Sequence, residues 1–461
     1  MNRNEEYSAL LRELEDTPPA LEKTLPRARA RLRRRRVLQP AASLAGRACC
    51  FVLLVNFCAP VAYACSRVPL LRELAAAVTF SPSLSRAVDN EYVQPLELTQ
   101  TQCGITAQVE YLLVDQKQVN IFYRLDTESG GQLREEPRIL SLDGSSPAPC
   151  SYGLNSWDVP NGQLRSMTVD FVAEDVPDAL LLELDVWQDP EEGAPTLTEE
   201  GPADQQVGEN VWLELPPDPE PLTTFRFELH FDPTFTASGR QIELGETLTL
   251  DGQTFTFTQL EIYPTHLRLD LEESEENTAW LTQLYFTVEG GGQVYQPVSN
   301  GVTATGSGET HTMTSYRAES PYFEKADSLT IRVTGAEWLD KSHERTLVDL
   351  AGGKADFLPE GVSFYEAKQV GSGWKVSFLA RQRKESYVHQ IFRTEYYDPE
   401  GNQMEYHSWR SGGLPMDAPD DSFLVTLYLE DYPYDQVWLC PQYSRQWQAP
   451  EAICFTVDLT Q

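Results

Sequence analysis

The chain has 461 residues, of which 36 are Lys or Arg and 70 are Asp or Glu, giving a net charge of −34 at neutral pH. That length exceeds one ordinary core and implies two to four domains. The acidic excess repels phosphate, so no nucleic-acid partner is expected.

The charge is unevenly spread. Residues 1–65 hold eleven basic and six acidic side chains, net +5, leaving 25 basic and 64 acidic in the remainder, net −39. Such a split points to two compartments. At the basic end, "NEEYSALLRELED" sets Tyr7, Leu10, Leu11 and Leu14 at i, i+3, i+4 and i+7, one helical face. Thr17-Pro18-Pro19 then restarts a helix carrying Leu21 and Leu25, with Pro26 as a kink. Residues 1–40 therefore read as a cytosolic helical segment too small to bury a core alone. Two readings stand for it: it lies on the inner leaflet, or a protein partner covers Tyr7, Leu10, Leu11, Leu14, Leu21 and Leu25.

Seven arginines fall within residues 27–36, and no residue from Ala48 to Ser66 is charged. Nineteen residues at about 1.5 Å rise reach roughly 28 Å, one hydrocarbon core. A single transmembrane helix over 44–66 follows, with the N-terminus in the cytoplasm and the bulk of the chain outside. Ala62-Tyr63-Ala64 is a rival signal-peptidase site, and Cys65 a candidate for lipidation. The 47 residues that precede the run are too many for a signal n-region, and Ala62 is small for a lipobox. Retention of the span is the expectation.

Beyond it, 68–79 ("VPLLRELAAAVT" within it) predicts a juxtamembrane helix. The rest alternates apolar and polar residues: "ITAQVEYLLVD", "QVNIFYRLD", "TFTFTQLEIY", "HLRLDLEE", "LTQLYFTVE", "SLTIRVTGAEW" and "FLVTLYLED" are strand-like, with Gly-rich turns between them. The fold class is mainly β, with two or three immunoglobulin-like β-sandwich domains outside the membrane. "LPPDPEPL" and "AGGKADFLPEG" suggest the joints, giving domains at 80–216, 217–353 and 354–461. Four cysteines lie in this part, and loop closure within a domain favours the disulfides Cys103–Cys150 and Cys440–Cys454.

Reactive chemistry is scarce. The six histidines are scattered singly, with no H-E-x-x-H or i, i+4 pair to hold a metal. "GSGET" at 306–310 lacks the G-x-S-x-G nucleophile pattern. "DPEGNQ" at 398–403 lacks the spaced aspartates of a calcium loop and reads as a hairpin turn. Trp374, Trp409, Trp438 and Trp447 suit a ligand groove or, more simply, sandwich cores. No enzyme activity, cofactor or metal is expected.

The segments "PPALEKTLPRARARLRRRR", "APVAYA", "SRVPLLREL" and "GITAQVEYLLVDQKQVNIFYRL" together resemble a family of single-span Gram-positive membrane proteins. The ectodomain of that family is a domain of unknown function, and its members are regarded as anti-sigma factors for extracytoplasmic-function sigma factors. "RQIELGETLTLDGQTFTFTQLEIYPTHLRLDL" resembles a second immunoglobulin-like unit that accompanies it; the resemblance covers about residues 18–280. It implies a sigma factor as cytosolic partner and an extracellular ligand of unknown identity. The zinc pattern of another anti-sigma class is absent, because no histidine precedes the span. The alternative expectation is a surface adhesion or cell-wall-binding protein whose inner segment is only an anchor.

Overall fold

The computed structural model describes residues 73–129, 131–155, 159–188, 220–306, 310–383, 390–406, 409–411, 419 and 421–460. The inner helices, the 44–66 span and residues 68–72 lie outside these. Among the described residues no helix is long and apolar enough to cross a membrane. Residues 73–77 are helical. A second helix, α1 (Pro82–Asp89), follows it unannounced by the sequence, because eight residues are too few to show a period. Its start is well made: Ser81 Oγ accepts from the Leu84 N–H, and Pro82 occupies a position whose own N–H would be orphaned.

Strands then dominate. β1 (Gln94–Gln102), β2 (Ile105–Asp115), β3 (Gln118–Thr127), β4 (Leu133–Leu140), β5 (Cys150–Asn155), β6 (Leu164–Phe171), β7 (Ala179–Gln188), β8 (Thr223–His230) and β9 (Thr236–Ala237) build two sheets. One has the order β1-β2-β3-β6-β5, with β9 parallel to β2, and the other is β4-β7-β8. The period of two explains the pairing. Leu180, Leu182, Leu184 and Val186 of β7 and Phe225, Phe227 and Leu229 of β8 meet Val109, Ile121 and Val169 of the facing sheet in one buried cluster. Each of these side chains contributes about 1.5–3 kcal/mol by leaving water.

A second pair of sheets uses β10 (Arg240–Leu250), β11 (Gln253–Ile262), β12 (Leu267–Glu273), β13 (Ala279–Gly290), β14 (Gln293–Tyr295), β15 (Ala304–Gly306), β16 (Met313–Ala318) and β17 (Ser328–Asp340). A third uses β18 (Thr346–Asp349), β19 (Lys354–Ala355), β20 (Val362–Val370), β21 (Gly373–Arg381), β22 (Phe392–Tyr397), β23 (Gln403–Glu405), β24 (Trp409–Ser411), β25 (Ser422–Leu429) and β26 (Gln436–Pro441). The last strand, β27 (Arg445–Asp458), does not join it. It returns to β17, completing the sheet β14-β13-β17-β27 opposite β10-β11-β12-β16-β15. Phe455 and Val457 are accordingly in the second core.

The strand pairing moves the expected boundaries. "LPPDPEPL" belongs to the connection between β7 and β8, so the first core runs on through Phe231 and not to 216. "AGGKADFLPEG" contains the β18–β19 turn, inside the third unit and not between units. Pro- and Gly-rich turns carry the same signal in a hairpin as in a linker, and the sequence cannot separate the two. The "DPEGNQ" reading holds: Asp398 Oδ1 accepts from the N–H groups of Glu400 and Asn402 in the turn joining β22 to β23.

Candidate functional site

Strand β12 shows why a seam exists. Leu267, Leu269 and Leu271 face the second core, which leaves Arg268 on the opposite face. In an isolated sandwich that face is solvated. Here Arg268 is 2% exposed and Arg317, beside it on β16, is 0% exposed, because this face lies against the first sandwich.

Asp170 meets them there. It sits on β6 between Val169 and Phe171, which point into the first core, and is itself fully buried. Its Oδ1 accepts from Arg317 Nη2 at 2.6 Å and from Arg268 Nη2 at 3.0 Å, while Oδ2 accepts from Gln118 Nε2 at 3.1 Å. His266 Nε2 lies 3.8 Å away. Burial alone would raise the Asp170 carboxyl, but Arg317, Arg268 and His266 outweigh it and hold it at about 2. Arg268 also donates to the Val172 and Phe171 carbonyls, and Arg317 to the Ser315 carbonyl. One carboxylate therefore anchors two buried cations across the seam.

Asp115, at the end of β2, repeats the device without an arginine. Its Oδ1 closes the β2–β3 turn by accepting from the Lys117 and Gln118 N–H groups, and its Oδ2 accepts from Thr265 of the second sandwich. Backbones also meet. A Cβ on Gly153 of β5 would lie 1.9 Å from the Asn300 carbonyl oxygen, and Gly301 holds φ +91° against it. Only glycine permits this approach.

The segment that carries Arg317 runs on to grip α1. Two residues later Glu319, 3% exposed, accepts through Oε2 from Ser81 Oγ at 3.0 Å and the Ser83 N–H at 2.7 Å. The Ser320 N–H donates to Ser83 Oγ at 2.6 Å. Arg86 pairs with Glu324 at 2.7 Å and lies over the Tyr295 ring. On the other side, Tyr92 OH donates to the Val114 carbonyl of the first sandwich. Leu74, Val78, Leu84, Ala87 and Val88 are buried beneath. Burial raises the Glu319 carboxyl, and the hydrogen bonds from Ser83 and Ser81 with the charge of Arg86 act against that rise. Residues 317–324 thus bind the first sandwich, the second sandwich and α1 in one stretch.

What this arrangement can do is mechanical. Among the described residues no group of three His, Cys, Asp or Glu side chains could hold a metal. A depression of about 390 Å³ is open to solvent and lined by Thr101, Thr106, Arg124 and Asp126.

Tyr7, Leu10, Leu11, Leu14, Leu21 and Leu25 lie outside the described residues. The two expected disulfides are not formed, and Cys103, Cys150, Cys440 and Cys454 are free thiols. Cys103 is in the turn between β1 and β2, whereas Cys150 pairs with Phe171 at the far end of the same sheet, three strands across. Cys440 is buried in a sheet of the third unit, while Cys454 is exposed on β27 opposite Arg332 in the second. A disulfide needs Cα atoms within about 7 Å, and the strand positions hold the members of each pair apart. Sequence reasoning missed Asp170, Arg268, Arg317 and Glu319. Their one signal was charge inside apolar strand runs, which reads as an ordinary solvated face.

Two family descriptions match parts of the chain. Residues 33–127 match a domain of unknown function (DUF4179), and residues 239–358 match a family of unknown function (DUF5643). The second match begins at the seam after β9 and ends past β19. No curated protein matches the chain. Among solved structures, the chain is similar to a conserved domain protein from Bacillus anthracis at 12% identity, with a TM-score of 0.36, covering 62% of this chain and 85% of that one.

Proposed function

We propose that the protein is a membrane-anchored regulator of the anti-sigma-factor kind. Its inner helices hold a sigma factor at the membrane, one transmembrane helix over 44–66 crosses, and immunoglobulin-like sandwiches outside answer an external ligand. The observation that supports this reading is the grip of residues 317–324 on α1. A chain that merely displayed its outer domains would need only a loose tether after the span. Here α1 is fixed at its N-cap by a buried carboxylate 238 residues further on, so a change in the sandwiches changes the chain leading to the membrane. A simple anchor for adhesion has no use for that connection.

The test lies on the inner side. Burial of one leucine in a partner's groove is worth about 1.5–3 kcal/mol, so losing two weakens binding by about two orders of magnitude or more. The double variant Leu10→Asp, Leu14→Asp should free the sigma factor and raise transcription from its promoters, with normal amounts of protein in the membrane. Unchanged transcripts at normal membrane levels would remove the sigma-binding role and favour adhesion.

A further inference from the structure

The joint between the second and third sandwiches holds a histidine in an unusual place. His311, in the approach to β16, has Arg393 Nη1 of β22 at 2.9 Å from Nδ1 and 3.2 Å from Nε2. Glu344 Oε1 lies 3.4 Å from Nε2, and Trp280 meets the ring edge-on at 4.7 Å. A guanidinium is donor only and always charged, so the ring nitrogen facing it must be an unprotonated acceptor. The tautomer with Nε2–H satisfies both neighbours: Nδ1 accepts from Arg393, and Nε2 donates to Glu344.

We propose that this contact makes the joint a pH-sensitive hinge, closed at neutral pH and loosened when acid protonates His311. An imidazolium has no lone pair for Arg393 and places a second positive charge beside it. Other charges face the ring as well. Glu395 shares Arg393 Nη1 at 3.0 Å, Lys341 lies over Trp280, Arg345 adjoins Glu344 in the connecting segment, and Glu273 binds the neighbouring Thr312. Glu344 and Glu395 favour the charged ring, but burial first and Arg393 second hold it below the usual histidine range. A base lowered on folding contributes stability above its unfolded value, about 6.5, and loses it as pH falls toward the folded value. The loosening therefore begins below about pH 6.5 and is distinct from any response of Asp170, whose carboxyl titrates far lower.

Hydrogen exchange of the full chain in detergent, corrected for intrinsic rates, tests this at about pH 7.5 and about pH 5. Amides of residues 279–282 and 392–396 should lose protection about tenfold on acidification for each unit by which His311 is lowered. The β2–β3 pair should not change. His311→Gln cannot titrate and should lose the acid response. Arg393→Gln removes the repulsion but not the burial, so the response should shrink without vanishing, which gives a second reading if His311→Gln unfolds. Absence of the response in the native chain, its survival in His311→Gln, or an undiminished response in Arg393→Gln would overturn the hinge.

Discussion

Replacing Asp170 by asparagine keeps the shape of the side chain and removes one charge from between two guanidinium groups. Arg317 and Arg268 are at most 2% exposed, so neither can turn to water for compensation. Removing one partner of a buried pair costs about 3–5 kcal/mol, against the roughly 5–15 kcal/mol total stability of a typical domain. The carboxyl, held at about 2 by the two arginines and His266 against about 3.9 in an unfolded chain, acts in the same direction and is worth on the order of 3 kcal/mol at neutral pH. Because the carboxyl is lowered on folding, this stability is present above about pH 3.9 and is lost as pH falls toward 2. Urea unfolding of the native chain and Asp170→Asn, at several pH values, reads the difference directly. The gap should be about 3 kcal/mol at neutral pH and should close in acid. A gap under about 1 kcal/mol at neutral pH, the scale of an ordinary surface pair, would refute the reasoning. So would a gap that ignores pH.

Gly153→Ala would drive a Cβ into the Asn300 carbonyl and the Gly301 Cα, so β5 and that loop must part; a cost of about 1–3 kcal/mol is expected in thermal unfolding, where no change would dissociate the seam from this contact. A thiol reagent applied without reductant should label Cys103 and Cys454 quickly and Cys440 only after unfolding, since Cys440 is buried and its thiol is pushed up by that burial. Peptide mapping that recovered a Cys103–Cys150 or Cys440–Cys454 linkage would contradict it.

Strands were legible because each records its own burial. "ITAQVEYLLVD" is β2 from end to end, and "EGGGQ" is the turn into β14 with Gly291 and Gly292 at positive φ. What a strand joins is a different matter. β8 reads like any alternating strand, and nothing in "TTFRFELH" says that it pairs backward with β7 across a long connection. The seam was hidden for the same reason. Arg268 and Arg317 have a solvated face as far as their own sandwich is concerned, and only the first sandwich buries them. Ser81 and Ser83 carry no local sign of a partner, because the carboxylate that uses them is far along the chain.

The return of β27 to β17 has a consequence for how each molecule is made. Thr330 and Thr456, 126 residues apart, hydrogen-bond in the finished sheet, so the second sandwich waits for the whole third unit before it can close. Until then the thirteen residues of β17 present a bare edge, the kind of surface onto which a strand from another chain can add. A ribosome that stalls, or a protease that cuts within the third unit before closure, leaves that edge open. Copies must therefore be kept apart until β27 arrives, and β27 is the strand that seals the sandwich holding α1.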